Sequence, residues 1–332
     1  MPLQPRLPPI PSTVTFTGQT VIVTGASAGL GAEVALQLAQ RDVGTLILAV
    51  RRVGAGESVK AHILADPLVG KRSSPPKILV LELDLDRPSS VTSFANKFLA
   101  EFSELHILLL NAGLVGFSLV TTPENGYEQM FQANYAANVM LATRLLPLLR
   151  ATAKKTGKPS RLTLVGSRAA QMTSFKKKPI QDTEPVFTFM NDKAKFDGLS
   201  RYGDSKLLEA MWVAEAAKRI PASEVVINNV CPGMVKTSIH DKRVFVVRML
   251  VRAISAFYAR SVSVGARTYL NAVTAGAETH GELLGDMTVV KIGFQESPEG
   301  KKMQEKLWKE TLDATDDWVG GTVEDAGLNK TA

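Results

Sequence analysis

A chain of 332 residues, 45% hydrophobic and 21% charged, has the composition of an ordinary soluble globular protein with apolar material for a sizeable core. Its one cysteine, Cys231, excludes an intrachain disulfide and a cysteine-rich metal site, and fits a reducing compartment. The net charge of +7 comes from short, scattered runs such as 176–178 without interleaved aromatics, which points to solvated surface rather than a nucleic-acid stripe.

Residues 1–16 read as a proline-rich extended arm lacking the apolar core of a secretory signal. From residue 20 to about 230, short β-branched or aliphatic runs alternate with longer helical patterns. Strands are predicted over 20–24, 45–50, 77–83, 106–110, 161–165 and 225–229, and helices over 30–41, 55–65, 88–102, 123–150 and 200–218. That alternation predicts parallel βαβ units, and near-continuous apolar strands such as 106–110 suit a sheet buried on both faces. The fold class is therefore α/β, a doubly wound parallel sheet of Rossmann type in one domain over 17–315. A C-terminal extension follows, with a candidate substrate lid over 236–261, a helix through 275, a short strand near Gly285, a charged helix over 299–312 and a tail over 316–332. No run of about 20 apolar residues predicts a membrane span. The nearest, 244–258, is interrupted by Arg248, Arg252 and Ser255. A cytoplasmic protein is expected, with peripheral membrane contact left open.

The first strand runs into Gly25, Ser27, Gly29, Leu30 and Gly31, spaced Gly-x-x-x-Gly-x-Gly. Glycines at a strand-to-helix turn let backbone approach a diphosphate, and the helix N-terminus adds unpaired N–H groups. At the end of the second strand, Arg51 and Arg52 stand where a free ribose 2′-hydroxyl would want an acid, so they suit the 2′-phosphate of NADP. Asp84, followed by Leu85, could accept from an adenine amino group or cap the helix starting near Pro88. Asn111, Ala112 and Gly113 end the fourth strand, at the carboxyl edge where open α/β sheets bind ligands. Asn134 falls inside the next helix pattern, where Asn138 reads as an ordinary exposed polar residue, and Ser167 follows the fifth strand. Tyr202 and Lys206 are four apart on one helix face, so the ammonium can favour the phenolate formed when a phenol of pKa about 10 gives up its proton. The four histidines show no metal-ligand spacing, no metal is expected, and His106 reads as a packed strand residue.

Taken together, Thr-Gly-x-x-x-Gly-x-Gly, Asn-Ala-Gly, Asn134, Ser167, Tyr-x-x-x-Lys and Pro-Gly occur in an order that resembles the short-chain dehydrogenase/reductases, over about 17–312. The likeness is to the branch with retinol dehydrogenase-like proteins and fungal secondary-metabolite reductases. It implies that Ser167 steadies the substrate oxygen, Tyr202 gives or takes the proton, Lys206 binds the nicotinamide ribose and lowers the Tyr202 pKa, and Asn134 holds a water linking Lys206 to solvent. Pro232, Gly233, Val235 and Thr237 would flank the nicotinamide. The 35 positions from Ser167 to Tyr202 exceed the spacing in compact members, and the insert is expected to wall the substrate pocket. The expected activity is NADP-dependent hydride exchange with the carbonyl or alcohol of a lipophilic small molecule. A redox-neutral isomerase, cyclase or dehydratase and a non-catalytic NADP-sensing protein are the alternatives. A homo-oligomer is compatible with the long flanking helices.

Overall fold

The computed structural model describes residues 4–236, 259–319 and 322–329. Eight strands form one sheet in the order β3-β2-β1-β4-β5-β6-β7-β8. They are β1 (Thr20–Thr24), β2 (Thr45–Val50), β3 (Lys77–Glu82), β4 (Ile107–Leu110), β5 (Ser160–Val165), β6 (Val225–Cys231), β7 (Leu283–Gly285) and β8 (Thr288–Val290). All pairs are parallel except the hairpin of β7 with β8. The order reverses between β1 and β4, and a crevice opens beyond the carboxyl ends of strands at such a switch.

Period-two alternation divides each strand between two cores. Ile22, Ile47, Leu108, Leu162 and Ile227 face the helices Pro88–Glu101, Ala137–Thr156, Gly198–Arg219 and Pro298–Val319. Val21, Leu46, Leu48, Ile107 and Leu109 face Gly29–Ala39 and Val262–Thr274. Leu108 is fully buried, so Leu108→Ala would cost about 2–5 kcal/mol. The arm is docked on the second core, burying Leu7, Ile10 and Phe16, and Arg267 Nη1 donates to Leu7 O at 3.3 Å.

Three local expectations change. The helix predicted over 123–150 starts only at Gln129, because Asn125 and the left-handed Gly126 (φ +69°) make a turn that Glu128 ends by accepting from Met130 and Phe131 N–H. It then passes through a π-helical turn, Gln132–Ala136, and continues to Thr156, where Gly157 (φ +68°) caps it. Strand β8 escaped the reading because its three residues carry too short a pattern, and its turn uses two non-glycine left-handed residues, Asp286 and Met287. Asn138 is buried rather than exposed, donating to Ala112 O at 3.3 Å and Ala133 O at 3.1 Å.

The insert between Ser167 and Tyr202 is tied down by the two charged residues flanking Tyr202. Buried Asp204 accepts from Thr173 Oγ1, Ser174 N and Ser174 Oγ, each at 2.7 Å. Buried Arg201 donates to Met190 O and to Lys195 O (3.3 Å) and lies over the Phe189 and Phe196 rings. The aromatic part of the insert thus belongs to the core, with Phe187 edge-on to Phe131 and Tyr135, while Lys176, Lys177 and Lys178 face solvent.

Candidate active site

The glycine turn is shaped by atoms that are missing. A Cβ on Gly31 would stand 2.4 Å from Gly25 O and 2.5 Å from Asn111 Nδ2, so only glycine lets the helix start this close to the strand ends. Gly25 and Gly29 take left-handed backbone, at φ +67° and +57°. Ala28 at the N-cap supplies no side-chain acceptor, which leaves the first helical N–H groups facing outward beside Ser27 and Leu30. Such a cradle fits an anionic diphosphate.

Asn111 stitches this turn to β4. Its Nδ2 donates to Thr24 O at 2.8 Å, Ala112 N donates to Thr24 Oγ1 at 2.9 Å, and Tyr269 Oη donates to Asn111 Oδ1 at 3.1 Å. A Cβ on Gly113 would lie 2.9 Å from Asn134 Oδ1 and 3.8 Å from Lys206 Nζ, so the Asn-Ala-Gly corner sits against both.

Arg51 and Arg52 are exposed just beyond β2, with Arg51 Nη1 3.9 Å from Asp86 Oδ2. Asp84 is half-buried, and its Oδ1 accepts from Asp86 N at 3.2 Å. It closes that turn rather than capping the helix at Pro88, whose N-cap is Arg87 without a side-chain bond. Leu85 is buried, and its carbonyl accepts from Gln132 Nε2 at 3.0 Å.

On the opposite wall, Pro232, Gly233 and Val235 follow β6. Gln4 of the arm brackets this segment, donating to Met234 O at 2.9 Å and accepting from Met234 N at 2.8 Å. Arg260 adds bonds to Pro232 O (3.3 Å) and Pro5 O (2.9 Å). Val235 is buried, with its side chain beside the Gly265 position and Leu30 at the glycine turn. Thr237, His240 and the lid residues from 237 to 258 lie outside the described residues.

Between these walls stands the Gly198–Arg219 helix. Ser205 Oγ donates to Tyr202 O at 2.9 Å and accepts from Asn134 Nδ2 at 3.0 Å. Both ends of the Asn134 amide also hold Leu114, accepting from its N–H at 2.8 Å and donating to its carbonyl at 2.9 Å. The π-helical turn carries Asn134 to this position, and such turns often mark functional sites. Ser167 follows β5, and its Oγ accepts from Ala169 N at 3.1 Å, with the hydroxyl close enough to Tyr202 to act on its phenol.

Burial pushes the Tyr202 phenol above its ordinary pKa; Lys206 and the nearby Ser167 hydroxyl pull down, while Cys231 and Glu209 push up. Lys206 therefore acts in the expected direction but does not win, because desolvation of the phenolate outweighs it. The Lys206 ammonium is itself buried. Burial alone would lower its pKa, yet the carboxylate of Glu209 and the phenol of Tyr202 leave it raised. Its Nζ donates to Val165 O at 2.6 Å and to Glu209 Oε2 at 2.7 Å. Glu209 and its partner Asn229 were missed from sequence. The signal available was a carboxylate three residues after Lys206, on the same helix face.

The site thus brings together Asn134, Ser167, Tyr202 and Lys206, with the glycine turn and the Pro232 segment on either side. A family model described as "short chain dehydrogenase" matches residues 19–178. The short chain dehydrogenase macD of Penicillium terrestre is 42% identical over 93% of this chain and 94% of its own length. The short-chain dehydrogenase/reductase tropG of Talaromyces stipitatus is 39% identical over 93% of this chain and 94% of its own. Among solved structures, the Pseudomonas aeruginosa RhlG/NADP active-site complex aligns with a TM-score of 0.59 at 21% identity, covering 82% of this chain and 95% of that one. A short-chain type dehydrogenase/reductase from Mycobacterium ulcerans aligns at 0.60 and 16% identity, covering 88% and 99%. At those identities the structural likeness concerns the fold.

Proposed function

Because this chain belongs to the short-chain dehydrogenase/reductase family, and is an oxidoreductase by that membership, we propose that it is an NADP-dependent enzyme working on the carbonyl or alcohol of a lipophilic small molecule. A role in fungal secondary metabolism is part of the proposal, drawn from relatives in Penicillium and Talaromyces. The observation that carries the reading is the buried Lys206 ammonium one helical turn from Tyr202, with the Ser167 hydroxyl beside the same phenol.

The residues around the crevice fit a nicotinamide dinucleotide. The uncapped helix start and the Gly31 cradle suit its diphosphate, Arg51 and Arg52 a 2′-phosphate, and half-buried Asp84 the adenine amino group beside Leu85. Pro232, Gly233 and Val235 lie on the wall where the nicotinamide end would be held, and Thr237 is proposed to join them. When bound, the cofactor supplies or accepts the hydride.

The protein manages the oxygen. Ser167 donates to it, and Tyr202 gives its proton as negative charge develops there in reduction, or takes one back in oxidation. Lys206 holds positive charge beside the phenolate that results, and its remaining donor is free to meet the ribose. Asn134 keeps Leu114 and Ser205 in place, and its carbonyl oxygen retains a lone pair for a water leading to Lys206. Exposed Phe117 and Val120, on the loop beyond β4, and Met172, ending the 3-10 helix Arg168–Met172 beyond β5, offer apolar surface to a lipophilic substrate.

The test is titration of the purified protein with NADPH and NADH, followed by cofactor oxidation against a panel of lipophilic ketones and aldehydes, with product mass measured. Tighter NADPH binding and products heavier by two hydrogens are expected. Preference for NADH would remove the role given to Arg51 and Arg52, and products of unchanged mass would replace reduction by a redox-neutral reaction.

A further inference from the structure

Lys206 is held by a second charged residue that the expected catalytic set does not contain. Glu209 stands three residues on, on the same helix face, and the two side chains are 6% and 1% exposed. Its Oε2 accepts from Lys206 Nζ at 2.7 Å and its Oε1 accepts from Asn229 Nδ2 at 3.1 Å. Asn229 reaches that oxygen because residue 166 is glycine: a Cβ there would lie 2.0 Å from Asn229 Oδ1. The residue that precedes Ser167 thus makes room for the residue that orients Glu209.

An ammonium has three donors. Val165 O takes one at 2.6 Å and Glu209 takes another, which leaves a single direction in which Lys206 can act. A buried carboxylate is tolerated when it is paired and hydrogen-bonded, and here the pairing falls on the one lysine that adjoins Tyr202. We propose that Glu209 is a positioning residue: it fixes the direction of the Lys206 ammonium and sets the site to give a proton rather than to take one, as carbonyl reduction requires.

The electrostatics run the same way. Burial pushes the Glu209 carboxyl above its ordinary pKa while Lys206 and Asn229 pull it down, and its charge also acts on Tyr202 of its own helix and on Tyr269 of the Val262–Thr274 helix. Its negative charge opposes loss of a proton from either Tyr202 or Lys206, so whichever of the two ionises first does so at higher pH than it would beside a neutral residue. Reduction needs both protonated and therefore declines on the alkaline side. Removing the carboxylate charge moves that decline to lower pH.

The inference rests on Tyr202 and Lys206 being the proton-transfer pair, and its test separates the two. The tyrosinate absorbance of the protein, minus that of its Tyr202→Phe variant, is followed against pH without cofactor or substrate. The alkaline limb of NADPH-dependent reduction is followed in parallel. Glu209→Gln keeps the shape and loses the charge, and should move the first transition and the limb down by about one pH unit, a tenfold change in proton affinity. Glu209→Asp keeps the charge with a shorter reach: its limb should stay in place while kcat falls several-fold and KM holds. Glu209→Asn serves as a second neutral variant, with thermal melting reported for each. Neutral variants that melt like the parent and titrate where it does would overturn the role of Glu209. A shifted tyrosinate transition in a protein that reduces no carbonyl would support Glu209 and remove the reduction reading instead.

Discussion

The glycine turn and the corner that holds Tyr202 and Lys206 both lie at the carboxyl ends of the strands, and they are built in opposite ways. At the turn, the geometry depends on atoms that are missing: Gly31 has no Cβ to meet Gly25 O, and the Ala28 methyl offers no acceptor to the helix N–H groups. At the corner it depends on charges that are present and buried, with Lys206 between Val165 O and Glu209, and Glu209 held by Asn229. A cradle for an anion needs only backbone shape and a spacing along the chain. A buried ammonium needs partners from other strands, since desolvation would otherwise drive off its proton.

The largest effect should come from the corner. Tyr202→Phe removes the proposed proton donor and should lower turnover by about 10²-fold or more, while the NADPH dissociation constant stays within about twofold. Binding lost together with turnover would show that the two regions are not separable. At the turn the order reverses. Gly31→Ala forces a methyl group against Gly25 O and Asn111 Nδ2. It should destabilise the protein by about 1–3 kcal/mol in denaturant melts and abolish saturable cofactor binding at concentrations that saturate the parent. Near-native NADPH affinity in that variant would break the idea that the turn works by absence.

A smaller effect is expected from Arg51→Ala with Arg52→Ala, since both side chains are exposed and screened by solvent. NADPH should bind about tenfold more weakly by calorimetry, about 1.4 kcal/mol, with NADH unaffected. Equal losses for both cofactors would mean that these arginines do not read the 2′ position. The smallest belongs to the arm. Gln4→Ala cuts both bonds to Met234 and should cost about 0.5–1.5 kcal/mol of stability, with at most a severalfold rise in the NADPH dissociation constant. A large loss of cofactor binding would make the arm part of the site rather than its support.

The two regions also differ in how far the chain announces them. The glycine spacing, the Asn-Ala-Gly corner, and Tyr202 with Lys206 can be read along the sequence because each motif is local and obeys a turn or helix period. So can the order of strands and helices, and with them the family. The helix start was misplaced by six residues, because Gly126 and the Glu128 cap act through backbone conformation that apolar periodicity does not reveal. Asn138 was misread because its long-range acceptor, Ala112 O, meets it only once the helix packs against the β4 end.

What the sequence determined by itself is therefore the architecture and the family: periodicity specifies which faces are buried, and short fixed spacings specify which side chains share one. What only the tertiary structure decided is their electrostatic state. Whether Lys206 or burial prevails at Tyr202, and that Val165 O and Asn229 complete the Lys206–Glu209 pair, depend on distances between strands and helices far apart in the chain. Desolvation and charge pairing are properties of enclosed space, which folding creates and no linear spacing encodes.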